Sequence, residues 1–397
     1  MVFLKKKLSN GICVIMDKRD LGVVTLGIAN KFGGIYENSE IKGVAHVIEH
    51  LLFTGTKNRS HEDISREIEK KGGILNAYTG HEVTNFWFKL PSEHVFSGLD
   101  ILIDMIKNPK FDETKFAKEK KVILEEIKMY RDNPRLHVFE QIERNLFEKP
   151  FGELIIGNVK SVSSLERDFV ADLFKQAYVS DNFVVSIVGD ADFDEICDYL
   201  EKNFENKKGG MEIVKVKEKN AETVEERAGI DQAQLVFAFH APLCSDKNRY
   251  AMEVLDAYIG SGMSSKIFLE VREKRGLAYA IKSVYECGKN YSFYCVYAGC
   301  PKDNANEVKE IIIKEFKKVE KEMSEKDLEE AKERLIGLHK INAEEGFGVM
   351  SALLDEELAE DAENYYKYEE NIRNVTLEDV KKLSNIKEFS SAIVLPK

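Results

Sequence analysis

Apolar positions in this chain switch repeatedly between the two-residue period of strands and the longer period of helices. Short apolar runs flank Asn10-Gly11, a hairpin signal. Val23–Ala29 reads as a strand, broken by Gly33-Gly34. Gly43–Phe53 reads as a helix carrying two histidines. Ser60 is placed to cap a helix that runs to Lys71 and is stopped by Gly72-Gly73. Ile74–Thr79 and Val83–Leu90 read as strands, and Glu93–Ile106 as a helix by its apolar spacing. Asp112 caps a further helix that reaches about Arg131 and stops before Pro134. Ser164 opens another, and Phe183–Val188 is a strand.

The pattern changes at NKKGGMEIVKVKEKNAE, residues 206–222, where Gly209-Gly210 and dense charge replace periodicity. Beyond it the outline of the first half returns. Leu235–Phe239 resembles Val23–Ala29; helices Asn248–Ile259 and Ser264–Lys274 follow, then Gly276 and strands Ala278–Tyr285 and Ser292–Ala298. The ends also match, SLERDFVADL…NFVVSIVGD against TLEDVKKL…FSSAIVLP. An internal duplication is the simplest account. It predicts an α+β fold: two homologous domains of mostly antiparallel sheet with helices on one face. The expected division is residues 1–206, a linker at 207–222, and 223–397.

Length and charge narrow the function classes. A chain of 397 residues is long enough for two or three domains with real cores. Its 58 basic and 70 acidic residues give a net charge of −12, which disfavours nucleic-acid partners. The six cysteines, at 13, 197, 244, 287, 295 and 300, contain no CxxC pair and read as inert reduced thiols. MVFLKKKLSNG lacks the apolar core of a secretory signal, and no run is long enough to span a bilayer. A soluble cytoplasmic protein without membrane or nucleic-acid partners is the expectation.

The sharpest chemistry lies in Gly43-Val-Ala-His-Val-Ile-Glu-His50. On a helix His46 and His50 are about 40° apart, one turn above the other, and two such imidazoles can share a Zn²⁺ ion. Glu49 sits near enough to hold a water on that metal without ligating it. With 8 histidines and 70 acidic residues, His-x-x-[Asp/Glu]-His is expected by chance only about 0.03 times in such a chain. A third ligand is sought on the helix after Asp112. There Glu119 and Glu126 share the stripe of Phe116, Ile123, Ile127 and Tyr130, whereas Glu125 is turned toward solvent. Carboxylates on an apolar stripe need a partner, and a divalent cation suits them. Gly260-Ser-Gly-Met-Ser-Ser-Lys266 lacks the Gly-Lys-[Ser/Thr] of a P-loop and reads as a turn. The histidines at 61, 81, 94, 137, 240 and 339 have no partner at ligand spacing.

His-x-x-Glu-His followed by Glu119-x6-Glu126 resembles the inverzincin motif of the pitrilysin, insulin-degrading enzyme and mitochondrial processing peptidase family. The likeness extends over essentially the whole chain and is nearest to the short, two-domain members. It implies one Zn²⁺ per chain bound by His46, His50 and Glu126, with Glu49 as general base and Glu119 orienting a ligand. Gly72–Thr79 is similar to the family's edge strand, which pairs with an extended peptide; Asn76 and Ala77 are the matching positions. Arg272 and Tyr279 match the family's Arg-x6-Tyr pair, which implies a carbonyl contact and an oxyanion donor. The resemblance therefore implies a zinc metalloendopeptidase acting on unfolded peptides. A chain holding both half sites implies a homodimer whose partner completes each active site. Two alternatives stand beside it: a non-catalytic structural or peptide-binding member, and a specific presequence-processing peptidase.

Overall fold

A computed structural model describes residues 2–397. The strands are β1 (Val2–Lys7), β2 (Cys13–Lys18), β3 (Val23–Asn30), β4 (Ile74–Thr79), β5 (Thr84–Pro91) and β6 (Phe183–Gly189) in one sheet. The other sheet holds β7 (Glu222–Arg227), β8 (Ala233–His240), β9 (Ala280–Cys287), β10 (Ser292–Cys300) and β11 (Ser390–Pro396). The strand orders are β1-β2-β6-β3-β5-β4 and β7-β11-β8-β10-β9. Leaving out β1, the two orders superimpose strand for strand. The one parallel pair in each sheet, β2–β6 and β7–β11, also falls at the same place, and all other pairs are antiparallel. The duplication is therefore present in the topology.

The chain forms two compact units. One gathers the residues up to Lys128 with Glu153–Lys215 and Asn342–Glu357; the other gathers Met129–Gly152, Val216–Ile341 and Leu358–Lys397. The chain thus passes between units within 207–222, and again around 129–152 and 342–357. In the first unit, α1 (Val44–Phe53), α2 (His61–Glu69), α3 (Val95–Lys107) and most of α4 (Glu113–Asp132) accompany the six-stranded sheet. Alternate residues of β3 and β5, Leu26, Ile28, Phe86, Phe88 and Leu90, are buried with Leu99 and Leu102 of α3. The opposite face is crossed by the helix Gly346–Ala359: Phe347 packs on Trp87 at 4.4 Å, and the Ser186 hydroxyl donates to Met350 O at 2.9 Å.

The second unit repeats this plan. Leu235, Phe237, Tyr294 and Val296 are buried with Val254, Leu255, Ile312 and Phe316 of its helices. The other face of that sheet takes α5 (Pro134–Leu146), whose Phe139 stacks on Tyr297 at 5.7 Å. Asn145 of α5 donates to Ser391 O and Thr223 Oγ1, both at 2.9 Å.

Two local expectations are corrected. Ser164 does not open a helix; it ends the short helix Val159–Ser164, because its hydroxyl donates back to Ser161 O. The next helix begins at Arg167. Helix α4 stops before Pro134 as expected, and Pro134 then opens α5, since a missing N–H costs nothing at the first helical position and Asn133 caps Arg135 and Leu136. Ser264–Lys274 is not a regular helix. One α turn, Lys266–Phe268, widens into a π turn at Leu269–Glu273, where Lys274 N–H reaches Leu269 O at 2.9 Å.

Helix α3 approaches β5 through Gly98. A Cβ there would lie 2.7 Å from Leu90 Cδ1 and 2.8 Å from the Phe88 ring. Gly98→Val should cost about 1–3 kcal/mol in urea unfolding. Gly210→Val, where a Cβ meets nothing within 4 Å, should leave the midpoint in place.

Candidate metal centre

Helix α1 begins without a local cap: Gly43 stands at its N-cap with φ 96° and no side-chain hydrogen bond. The role falls to a carboxylate six residues upstream. Glu37 accepts from Gly43 N–H at 3.1 Å and Ala45 N–H at 2.8 Å, satisfying donors that the first turn leaves open. Glu37 is fully buried, and so is its counter-ion Lys42, whose ammonium lies 3.6 Å away and donates to Gly34 O at 2.9 Å. Burial pushes the Glu37 carboxyl up, against the pull of Lys42 and of the two backbone donors.

With its start held, α1 presents His46, Glu49 and His50 to α4. The imidazoles stack one turn apart, centroids 4.6 Å and planes 71° apart. Glu126 Oε2 lies 3.8 Å from His46 Nε2 and 3.7 Å from His50 Nε2. These gaps are too long for hydrogen bonds. They are near the separation of about 3.3 Å that ligands at 2.0–2.1 Å keep around a tetrahedral ion. Among the described residues, His46, His50 and Glu126 form the one group whose ligand atoms converge in this way, all within 4.8 Å of one another. Glu119, two turns before Glu126, takes the other nitrogen of His50 at 3.2 Å. Glu125 points outward and pairs with Lys128 at 2.7 Å. Burial, then the neighbouring His50, lowers the His46 pKa to about 3, so His46 offers a neutral ring. Two imidazole nitrogens and one carboxylate, with a second carboxylate on the other nitrogen of His50, form a donor set that fits Zn²⁺.

Glu49 is not part of that triangle. Its carboxylate accepts a hydrogen bond from the Thr79 hydroxyl at the end of β4. Burial raises its pKa, partly offset by that hydrogen bond. Thr79 and Glu37 are the two contributors that sequence reasoning misses. The only trace of Glu37 is negative: Ile41-Lys42-Gly43 contains no capping residue, so the cap has to come from elsewhere.

Asn76 and Ala77 lie on β4, the outermost strand of its sheet, with no further strand beside it among the described residues. Asn76 is exposed, and its Oδ1 accepts from Ala77 N–H. Arg272 and Tyr279 belong to the second unit. They line one cavity of about 480 Å³ together with Met263, Phe268 and the Gly260–Gly262 turn. The Arg272 guanidinium stacks 5.0 Å over Phe268, and Tyr279 is 75% exposed just before β9. His81 is buried, beside the Lys42 charge.

Comparison with known proteins agrees with this architecture. Residues 14–158 match the family model described as insulinase (peptidase family M16), and residues 164–335 match the peptidase M16 inactive domain. An uncharacterized zinc protease of Rickettsia felis is 32% identical over 329 residues, 82% of this chain and 79% of its own. The β subunit of the mitochondrial processing peptidase of Dictyostelium discoideum is 25% identical over 349 residues, 83% of this chain and 74% of its own. In fold, a Helicobacter pylori protease superimposes with a TM-score of 0.93 at 20% identity, covering 100% of this chain and 99% of that one. A putative M16-like peptidase of Alicyclobacillus acidocaldarius gives 0.86 at 19%, covering 100% and 98%. The chain belongs to peptidase family M16. Its relatives include proteins named as zinc proteases. No helix among the described residues is long and apolar enough to cross a membrane.

Two expected outcomes follow from the packing around α1. Glu37→Ala strands Lys42 as an unpaired buried charge and uncaps the helix; urea unfolding should show a loss of about 3–5 kcal/mol. The second concerns pH. Burial, then Lys42, lowers the His81 pKa from 6.5 to about 3. Between those values the unfolded chain takes up a proton that the native state refuses, so stability falls as pH drops below about 6.5. Chelator-treated protein should lose urea midpoint between pH 7.5 and 5, and His81→Gln should lose less. Equal losses would remove His81 as a cause.

Proposed function

We propose that the chain is a zinc-dependent endopeptidase of the HxxEH type that hydrolyses unfolded peptides or oligopeptides. The observation that supports this most is the convergence of His46, His50 and Glu126, with Glu49 held beside them by Thr79. Zn²⁺ bound by those three residues would supply Lewis acidity, polarising the scissile carbonyl and acidifying water.

The chain's own residues then divide the work. Glu49, its proton affinity raised by burial, takes the proton of the attacking water and passes it to the leaving amine. Glu119 keeps the His50 ring in its ligating orientation. The open edge of β4 adds the substrate as a further strand, with Asn76 and Ala77 reading its backbone. Because Thr79 closes β4, that strand both docks the peptide and orients the base. Tyr279 donates to the oxyanion that forms at the scissile carbonyl, and Arg272 binds a substrate carbonyl.

In this reading a second copy of the chain supplies the Arg272–Tyr279 half site. Two copies then enclose a chamber that limits substrates by size. One chain carrying both half sites supports a homodimer over a pair of specialised subunits. The non-catalytic reading draws on the matched inactive domain, but that match covers residues 164–335, and every proposed zinc ligand lies in the 14–158 match. Likeness to a processing peptidase subunit keeps presequence cleavage as the narrower enzymatic reading.

Purified protein should cut an unstructured peptide internally, stop with chelator and resume with added zinc. Glu49→Gln should retain one zinc per chain and lose about 10²–10⁴ in kcat. Tyr279→Phe should lower kcat about 10²–10³-fold with KM little changed. Full activity in Glu49→Gln would overturn the assignment of the base. Zinc-loaded protein that cuts nothing would favour a non-catalytic member.

A further inference from the structure

Cysteine chemistry in this chain is divided by environment. Cys13, Cys197, Cys295 and Cys300 are buried. Burial is the leading cause that raises all four thiols: Cys13 to about 12, Cys197 and Cys300 to about 11, and Cys295 higher still. Such thiols carry almost no thiolate at neutral pH and are shielded from reagents.

Cys244 and Cys287 differ in every respect. Both are partly exposed thiols. Cys287 ends β9, at the mouth of its hairpin with β10, and Cys244 lies in the loop between β8 and the helix Arg249–Ile259. The two segments are laced together. Cys244 N–H donates to Gly288 O at 3.1 Å, and the Tyr285 hydroxyl donates to Pro242 O at 2.6 Å. The Cys287 sulfur lies 3.6 Å from the same Pro242 oxygen and 3.3 Å from Tyr285 Oη. The backbone bond to Gly288 sets Cys244 beside the residue that follows Cys287. The Cys287 pKa is lowered, first by its interaction with Cys244 and then, against burial, by Tyr285, Ser292 and the nearby Arg249 charge.

We propose that Cys244 and Cys287 form a reversible dithiol–disulfide site, oxidised by exchange with a low-molecular-weight disulfide. The Cys287 thiolate attacks one sulfur of the small disulfide, whose S–S bond breaks, and the leaving thiolate takes up a proton. Cys287 then carries a mixed disulfide. The Cys244 thiolate attacks the Cys287 sulfur and expels the second small thiol. Two protein thiols and one small disulfide become one protein disulfide and two small thiols. The two electrons and two protons lost by the protein are those the small disulfide gains.

The bond would close the stretch 244–287, which contains Tyr279 and the π turn Leu269–Glu273 that carries Arg272. A cross-link there removes freedom from the unfolded segment and tightens the hairpin against the loop. The site stands on the second unit's own geometry and does not depend on the peptidase reading.

The test uses the reduced, full-length chain. It is incubated with oxidised glutathione, quenched in acid, alkylated, and read by intact mass and peptide mapping. The wild type should lose two hydrogens, mapped to one Cys244–Cys287 linkage, and dithiothreitol should restore both thiols. Cys244→Ser should instead trap glutathione on Cys287. Cys287→Ser should carry at least about ten-fold less glutathione than Cys244→Ser, since the attacking thiol is gone. Cys13→Ser should react like the wild type. Both thiols remaining alkylatable in the wild type, a linkage to any other cysteine, or glutathione settling on Cys244 would each overturn the proposal.

Discussion

The buried carboxylate of Glu37 is the constraint on which the candidate metal centre depends. It holds Gly43 and Ala45 N–H groups at the start of α1, and Lys42 balances its charge in the same enclosed space. A helix that begins at a glycine with a left-handed φ and no local cap would otherwise fray at its first turn. His46 occupies that turn. Four residues later His50 inherits whatever tilt the start imposes, and Glu49 with it. The geometry toward Glu126 and Thr79 is thus set by a charged pair that touches neither. A pair so enclosed gains little net stability over a hydrophobic equivalent; its effect is to specify one placement of the helix.

The duplicated topology carries different side chains in its two copies. Sheet order and strand direction match from β2 to β4 and from β7 to β9. Yet the helix that takes the place of α1 in the second unit, Arg249–Ile259, contains no histidine. Its polar anchor is Asp256, which accepts from Ser283 and Tyr294 and ties the helix to its sheet. The first copy spends its helix surface on nitrogen and carboxylate donors. The second exposes Arg272 and Tyr279 at the entry to its own edge strand. Each sheet is then closed on its other face by a helix from a distant part of the chain, α5 in one case and Gly346–Ala359 in the other. The compact units are consequently not continuous in sequence.

Much of this was legible residue by residue because it rests on local periodicity. The i, i+4 spacing of His46 and His50 and the seven-residue spacing of Glu119 and Glu126 each follow from helical geometry alone, as does the outward turn of Glu125. Caps chosen from the sequence also hold where the partner is three residues away: Ser60 and Asp63 form a reciprocal box, and Asp112 accepts from Lys115 N–H. Expectation fails where a residue has two local options: Ser164 can cap forward or bond back, and here it bonds back to Ser161 O.

What the sequence determined by itself is the chemistry that recurs within a turn or two of helix, which histidines and carboxylates share a face, and that the chain repeats. What only the tertiary structure decided depends on residues far apart in the chain. Glu119 lies 69 residues from the ring it hydrogen-bonds, Thr79 lies 30 from the carboxylate it bonds, and Gly288 lies 44 from the Cys244 N–H it accepts. Periodicity carries no information across such distances, because the intervening loops can return a strand or helix at many registers. Only the closure of the sheets and the packing of their cores select the one that brings those atoms into contact.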